Sequence, residues 1–124
     1  MSDTTTNLLL PYILAAQAQK HVTHNEALRM LDGLVQLSVR DRDLTAPAVN
    51  PVAGDRYIVA SGATGAWSGW DGDVALYGDG LWFRLPKQIG WRAWVEDEAT
   101  LVVWYGSRWD DLSGGLGSDG ARAF

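Results

Sequence analysis

The chain has 124 residues, 47% apolar and 20% charged, with a formal net charge of −5, a pI near 4.7 and no cysteine. That length supports one ordinary domain, and the apolar share suits a packed fold and excludes general disorder. The acidic balance leaves no surplus of Lys and Arg to grip nucleic-acid phosphates or an anionic membrane, and without cysteine there are no disulfides, thiolate nucleophiles or cysteine-bound zinc.

Residues 1–7 are polar and threonine-rich and are expected to form a flexible N-terminal arm. Leu8 to Ala16 is the only N-terminal apolar run. It is interrupted by Pro11 and preceded by Asp3 rather than by basic residues, so it reads neither as a signal peptide nor as a membrane span. A soluble protein made in the cytoplasm is the expectation. Leu8 to Tyr12 should be extended, because Pro11 disfavours helix at Leu10. Ile13 to Val22 is rich in Ala and Gln and favours a short helix.

Thr23-His24-Asn25-Glu26 matches a capping box, with Val22 and Ala27 placed for a hydrophobic staple. A helix should follow, carrying Ala27, Leu28, Leu31 and Leu34 on its inner face and stopping at Gly33. From Val35 the period changes to two: Val35, Leu37 and Val39 alternate with polar residues, as in a half-buried strand. Residues 41–51 read as a polar, proline-bearing connection.

After Gly54 come short strands separated by glycine turns. Arg56 to Ala60 is one strand. Asp73 to Tyr77 and Leu81 to Leu85 flank the turn Gly78-Asp79-Gly80. Trp91 to Glu96 and Thr100 to Tyr105 flank an acidic turn, and a last strand lies near Arg108 to Asp110. Residues 8–112 thus form a single domain, followed by a Gly-rich C-terminal tail over 113–124. The predicted class is α+β: short N-terminal helices packed on a small, twisted, Trp-rich antiparallel sheet of hairpins.

The chain carries 7 Trp, 4 Tyr and 2 Phe. Each buried aromatic ring removes about 150–250 Å² from water, so a few can decide the core of a small domain. A faint repeat aligns Trp67, Tyr77 and Trp82 with Trp94, Trp104 and Trp109, which predicts two similar hairpins with their rings packed together.

Little else suggests chemistry. His21, His24 and Glu26 lack the three or four convergent ligands of a metal site. Glu96-Asp97-Glu98 reads as a solvated turn, and Asp71, Asp73 and Asp79 as turn residues. There is no nucleophile elbow and no phosphate-cradling loop. No catalytic, cofactor or metal residues are expected, and the protein reads as a non-enzyme. The one constellation with binding promise is aromatic: Trp67, Trp70 and Tyr77 lie near loops, where ring faces can stack on sugars or on a partner.

Four stretches carry a resemblance. They are Leu10-Pro11-Tyr12, the run Gln17-Ala18-Gln19-Lys20-His21-Val22-Thr23-His24-Asn25-Glu26-Ala27-Leu28, then Gly54-Asp55-Arg56-Tyr57-Ile58-Val59, and Gly65-Ala66-Trp67. Together, over roughly Leu8 to Trp109, the chain resembles a domain-of-unknown-function family found in bacterial prophages and gene transfer agents. The resemblance implies a virion structural protein, commonly joined to tail-fibre or spike proteins. A free-standing copy resembles the base of a gene transfer agent head spike. That implies a homo-oligomeric ring, a pentamer at a capsid vertex, joining the capsid protein to a spike fibre protein that meets host polysaccharide. The alternatives are a carbohydrate-binding module and, less in keeping with the residues, a fibre-associated hydrolase. The resemblance brings no catalytic residues with it.

Overall fold

The computed structural model describes residues 3–12 and 20–112. The Ala- and Gln-rich stretch as far as Gln19 and the Gly-rich tail lie outside the described residues, as does the side chain of His21. In chain order the elements are α1 (Lys20–Leu34), β1 (Ser38–Val39), β2 (Arg56–Ile58), a 3₁₀ turn (Gly65–Trp67), β3 (Val74–Gly78), β4 (Leu81–Leu85), β5 (Arg92–Val95), β6 (Thr100–Trp104) and β7 (Trp109–Asp111). The class is α+β and mostly β.

Two sheets form where one was expected. One has the order β2-β3-β4 and is antiparallel throughout; the other has the order β1-β5-β6-β7. Its β1–β5 pair is parallel, with Ser38 opposite Trp94 and Val39 opposite Val95. The β3–β4 hairpin turns on Asp79 and Gly80, whose φ values of 51° and 75° are the left-handed pair that a two-residue hairpin needs.

The sheets face each other across one apolar core. Leu37, Val39, Ala93, Val95 and Val102 come from the four-stranded side, and Ile58, Val74, Leu76 and Leu85 from the three-stranded side. Strand β5 shows why: Ala93 and Val95 are buried while Arg92 and Trp94 are exposed, an alternation that puts one face inward. The sheets are also stitched by the backbone where β1 leaves for β2. Arg40 N–H donates to Arg56 O at 2.8 Å, and Ile58 N–H to Asp41 O at 3.2 Å.

The outer face of the three-stranded sheet is covered as well. There Tyr57, Val59, Ala75 and Trp67 form a second cluster, with Leu44, Trp70 and Trp82 packed on it. The ring of Trp67 sits 5.6 Å from Tyr57 and 5.1 Å from Trp82, centroid to centroid. The spacing-27 repeat corresponds to two cross-strand pairs, Tyr77–Trp82 and Trp104–Trp109. They lie in different sheets, and among the described residues no ring contact joins them.

Helix α1 departs from its expected form in three ways. It begins at Lys20, so Thr23 lies inside it and is no N-cap. It ends at Leu34, with Gln36 in the left-handed conformation, φ 54°. Gly33 is a contact point and not the stop: a Cβ there would lie 2.9 Å from Leu85 Cδ1 and 3.1 Å from Leu76 Cδ2. Third, part of the expected inner face is turned outward. Leu34 packs on the core as expected and Leu28 is half-buried, but Ala27 and Leu31 are exposed with Met30 and Val35, while Asn25, Asp32 and Gly33 face the fold. Tertiary bonds fix that orientation. Arg56 Nη1 donates to Gly33 O at 3.2 Å, and Arg29 lies 4.3 Å over the Phe83 ring while it pairs with Asp79.

Asp32, 2% exposed, also holds the N-terminal segment, accepting the backbone N–H groups of Asn7 (2.9 Å) and Leu8. Residues 3–12, whose first part was read as an arm, double back on themselves. Thr5 N–H bonds Leu10 O and Tyr12 N–H bonds Asp3 O, each at 2.9 Å.

Candidate functional site

At one end of the molecule the two sheets part and leave an open groove of about 480 Å³. One wall is the end of β2 and the turn before β3, including Ser61, Asp71 and Gly72. The other is β6 and β7 with Trp104, Ser107, Arg108 and Trp109, and the floor carries Arg42, Asp43 and Glu98.

Bonds within and between the walls hold them in place. Trp109 Nε1 donates to Gly72 O at 2.7 Å, across the gap between the sheets. Gly72 needs its glycine: φ is +79°, and a Cβ would meet Lys87 Cδ at 3.0 Å. The Trp104 ring is set by Trp109 at 5.8 Å, and Lys87 Nζ lies 5.5 Å from its centroid. Asp71 accepts the N–H groups of Gly62 and Ala63, both at 3.1 Å, and these bonds hold its carboxyl below the usual range.

The floor is a forked ion pair. Arg42 Nε and Nη2 reach the two oxygens of Glu98, each at 2.9 Å, and Arg42 Nη1 donates to Trp109 O at 3.4 Å. The arginine's hydrogen bond keeps the Glu98 carboxyl low. Beside it, carboxylate oxygens of Asp41, Asp43 and Asp97 lie within 4.8 Å of one another. Loss of solvent, then the charges of Asp41 and Glu98, push the Asp97 carboxyl up.

A second polar centre sits behind the groove. Asp73 is 1% exposed and accepts Arg84 Nε at 2.6 Å, the Lys87 backbone N–H at 3.0 Å and Lys87 Nζ at 3.1 Å. Burial pushes its carboxyl up, but these three donors outweigh burial and leave it below its ordinary value. A sequence reading of Asp73 as a turn residue missed this, since its partners lie 11 and 14 residues away.

The aromatic candidates divide. Trp67 is 0% exposed and offers no ring face to a ligand, because it fills the second core. Trp70 is half-buried against that same cluster. Tyr77 is half-buried and packs on Trp82 at 4.9 Å. Tyr77 does border a small pocket with Tyr12 beside the N-terminal segment, whereas the wide groove between the sheets is lined by Trp104 and Trp109. Their place in the faint repeat was the one available signal.

The geometry defines a small, mostly β protein with an open groove that mixes indole rings and paired charges. A model of a family of proteins of unknown function, DUF2793, matches residues 24–110, and the chain belongs to that family. No curated protein matches it. Among the described residues, no helix is long and apolar enough to cross a membrane.

Proposed function

We propose that the chain is a structural subunit of a phage-like particle. It forms the base of a gene transfer agent head spike, a homo-oligomer at a capsid vertex that carries the fibre for attachment to the host. The observation that carries this reading is the orientation of α1. It turns Ala27, Met30 and Leu31 toward solvent while Asn25 and Asp32 are buried. Exposed apolar side chains grouped on one helix suit a subunit that is covered by a neighbour. The resemblance of residues 17–28 to prophage and gene transfer agent proteins supports the same reading. Electron cryomicroscopy of purified particles carrying a tagged chain tests it. Extra density is expected between shell and fibre. Particles that lack the chain yet adsorb to cells at the wild-type rate would refute it.

The groove favours a second reading, a carbohydrate-binding module for host polysaccharide. Indole faces stack on sugar rings, and forked charge pairs such as Arg42–Glu98 satisfy ring hydroxyls. Titration of the isolated protein with capsular polysaccharide, followed by tryptophan fluorescence, tests it. Saturable binding lost in Trp104→Ala is expected, and no response at millimolar sugar excludes it.

A further inference from the structure

We infer that a pocket where β1, β2 and the end of β5 meet binds a small zwitterion of the α-amino-acid class, with its carboxylate on Arg56 and its ammonium group on Glu96. Its occupancy does not depend on the assembly reading above, and it shares no residue with the wide groove between the sheets.

The pocket has a volume of about 340 Å³, inside the ~300–1,000 Å³ range of small-ligand sites. Ser38 and Arg40 line it from β1 and the residue just past it, Asp55 and Arg56 from the start of β2, and Glu96 from the end of β5. Asn7 of the N-terminal segment also borders it, held there by its backbone N–H bond to Asp32.

Most of these polar groups are already engaged with one another. Asp55 Oδ1 accepts Arg40 Nε at 3.2 Å, and its Oδ2 accepts the Val52 N–H at 2.9 Å. Glu96 Oε2 accepts the Ser38 hydroxyl at 2.7 Å. Two groups keep open capacity. Arg56 has five N–H donors and gives one, from Nη1 to Gly33 O, while its buried Nε has no partner among the described residues. Of the described arginines only Arg56 and Arg92 form no ion pair, and Arg92 is exposed to water whereas Arg56 is half-buried. Glu96 Oε1 accepts no hydrogen bond from the described residues, since Arg40 Nη1 stands 3.9 Å away.

The charges choose the ligand. Burial pushes the Arg56 guanidinium down from its ordinary pKa against the pull of Asp32, Glu96 and Asp55, so those carboxylates do not replace the water it has lost. A planar carboxylate matches the guanidinium fork and restores what burial removed. A bare anion, however, would also meet Asp55 and Glu96, and the two arginines and two carboxylates of the lining already balance. A ligand that carries an ammonium beside its carboxylate keeps that balance, and Glu96 Oε1 is the acceptor left open for it. A phosphate dianion would bring more repulsion from the same two carboxylates.

The test is an NMR titration of the full ¹⁵N-labelled chain at neutral pH with each of the standard α-amino acids, beside acetate, ethylammonium and inorganic phosphate. Saturable shifts of the Arg56 and Glu96 amides are expected for at least one amino acid, half-complete at roughly 1 mM, with the three single-charge probes at least about ten-fold weaker. Glu96→Gln leaves an amide oxygen for Ser38 and should weaken binding roughly ten-fold, as should Arg56→Gln. Arg56→Lys keeps the charge but loses the fork, so it should fall between wild type and Arg56→Gln. Because Arg56 also bonds Gly33 O, thermal unfolding checks its variants, and Glu96→Gln decides alone if they do not fold. Absence of saturation by every amino acid up to about 50 mM overturns the assignment. Equal binding of acetate or phosphate overturns it too, as does binding that Glu96→Gln leaves unchanged.

Discussion

Removing the Asp73 carboxylate should unfold this protein more readily than any other single charge change. The group is 1% exposed and accepts three hydrogen bonds, one from a backbone N–H and two from cations. The Arg84 and Lys87 side chains are 46% and 28% exposed, so water recovers part of their loss and each ion pair is worth at most about 1 kcal/mol. The Lys87 N–H bond to a charged acceptor adds roughly 1.5 kcal/mol. Asp73→Ala should therefore cost about 3 kcal/mol, and Asp73→Asn about half of that, since the amide oxygen still accepts one bond. Urea unfolding followed by tryptophan fluorescence measures both, with an unchanged m-value showing that the fold is retained. The carboxyl sits below its ordinary 3.8 in the folded protein, so its ionisation favours folding. Its contribution is complete above that value and is lost as the pH falls through the lower folded one. The gap between wild type and Asp73→Asn should narrow in that acid range. A loss under 0.5 kcal/mol for Asp73→Ala at neutral pH, on the ~3 kcal/mol scale expected of a broken buried pair, refutes the reasoning.

Three further outcomes are expected. Trp67→Ala should cost about 3–5 kcal/mol in the same urea assay, because the ring is fully buried between Tyr57 and Trp82. Gly33→Ala gains about 1 kcal/mol of helix propensity but drives a methyl to within 2.9 Å of Leu85, so a net loss near 1 kcal/mol and a lower Tm are expected. Asp32→Ala should release the N-terminal segment: hydrogen exchange at the Asn7 and Leu8 amides should speed up at least ten-fold, while the β3 amides keep their protection.

The hairpins were legible because their signals are local. Asp79-Gly80 marks a turn with its own backbone preferences, and the strand alternation of Arg92 to Val95 marks a buried face without help from distant residues. The helix misled for the opposite reason. A periodic stripe of Ala27, Leu28 and Leu31 reads as a core face only if the core is the nearest apolar surface. Here long-range bonds through Asp32, Arg29 and Arg56 set the helix so that Ala27 and Leu31 are exposed, Leu28 is half-buried and Leu34 meets the core. The split into two sheets lies where β4 and β5 do not pair, and the parallel pairing of β1 with β5 is announced by no local pattern either. The aromatic candidates failed at Trp67 because nearness to a glycine loop does not report burial. A 3₁₀ turn tucks that ring beneath the loop. The groove needs both sheets in place, so its members Arg42, Glu98, Trp104 and Trp109 carry no shared spacing.

The parallel pairing also bears on the order in which the chain acquires its shape. The β3–β4 hairpin closes across two residues, whereas β1 waits for a partner roughly 55 residues downstream, a difference of about 3 kcal/mol in closure entropy. During synthesis, then, the first strand to emerge is among the last to be matched. Until β5 arrives, Leu37 and Val39 have half a core to rest on.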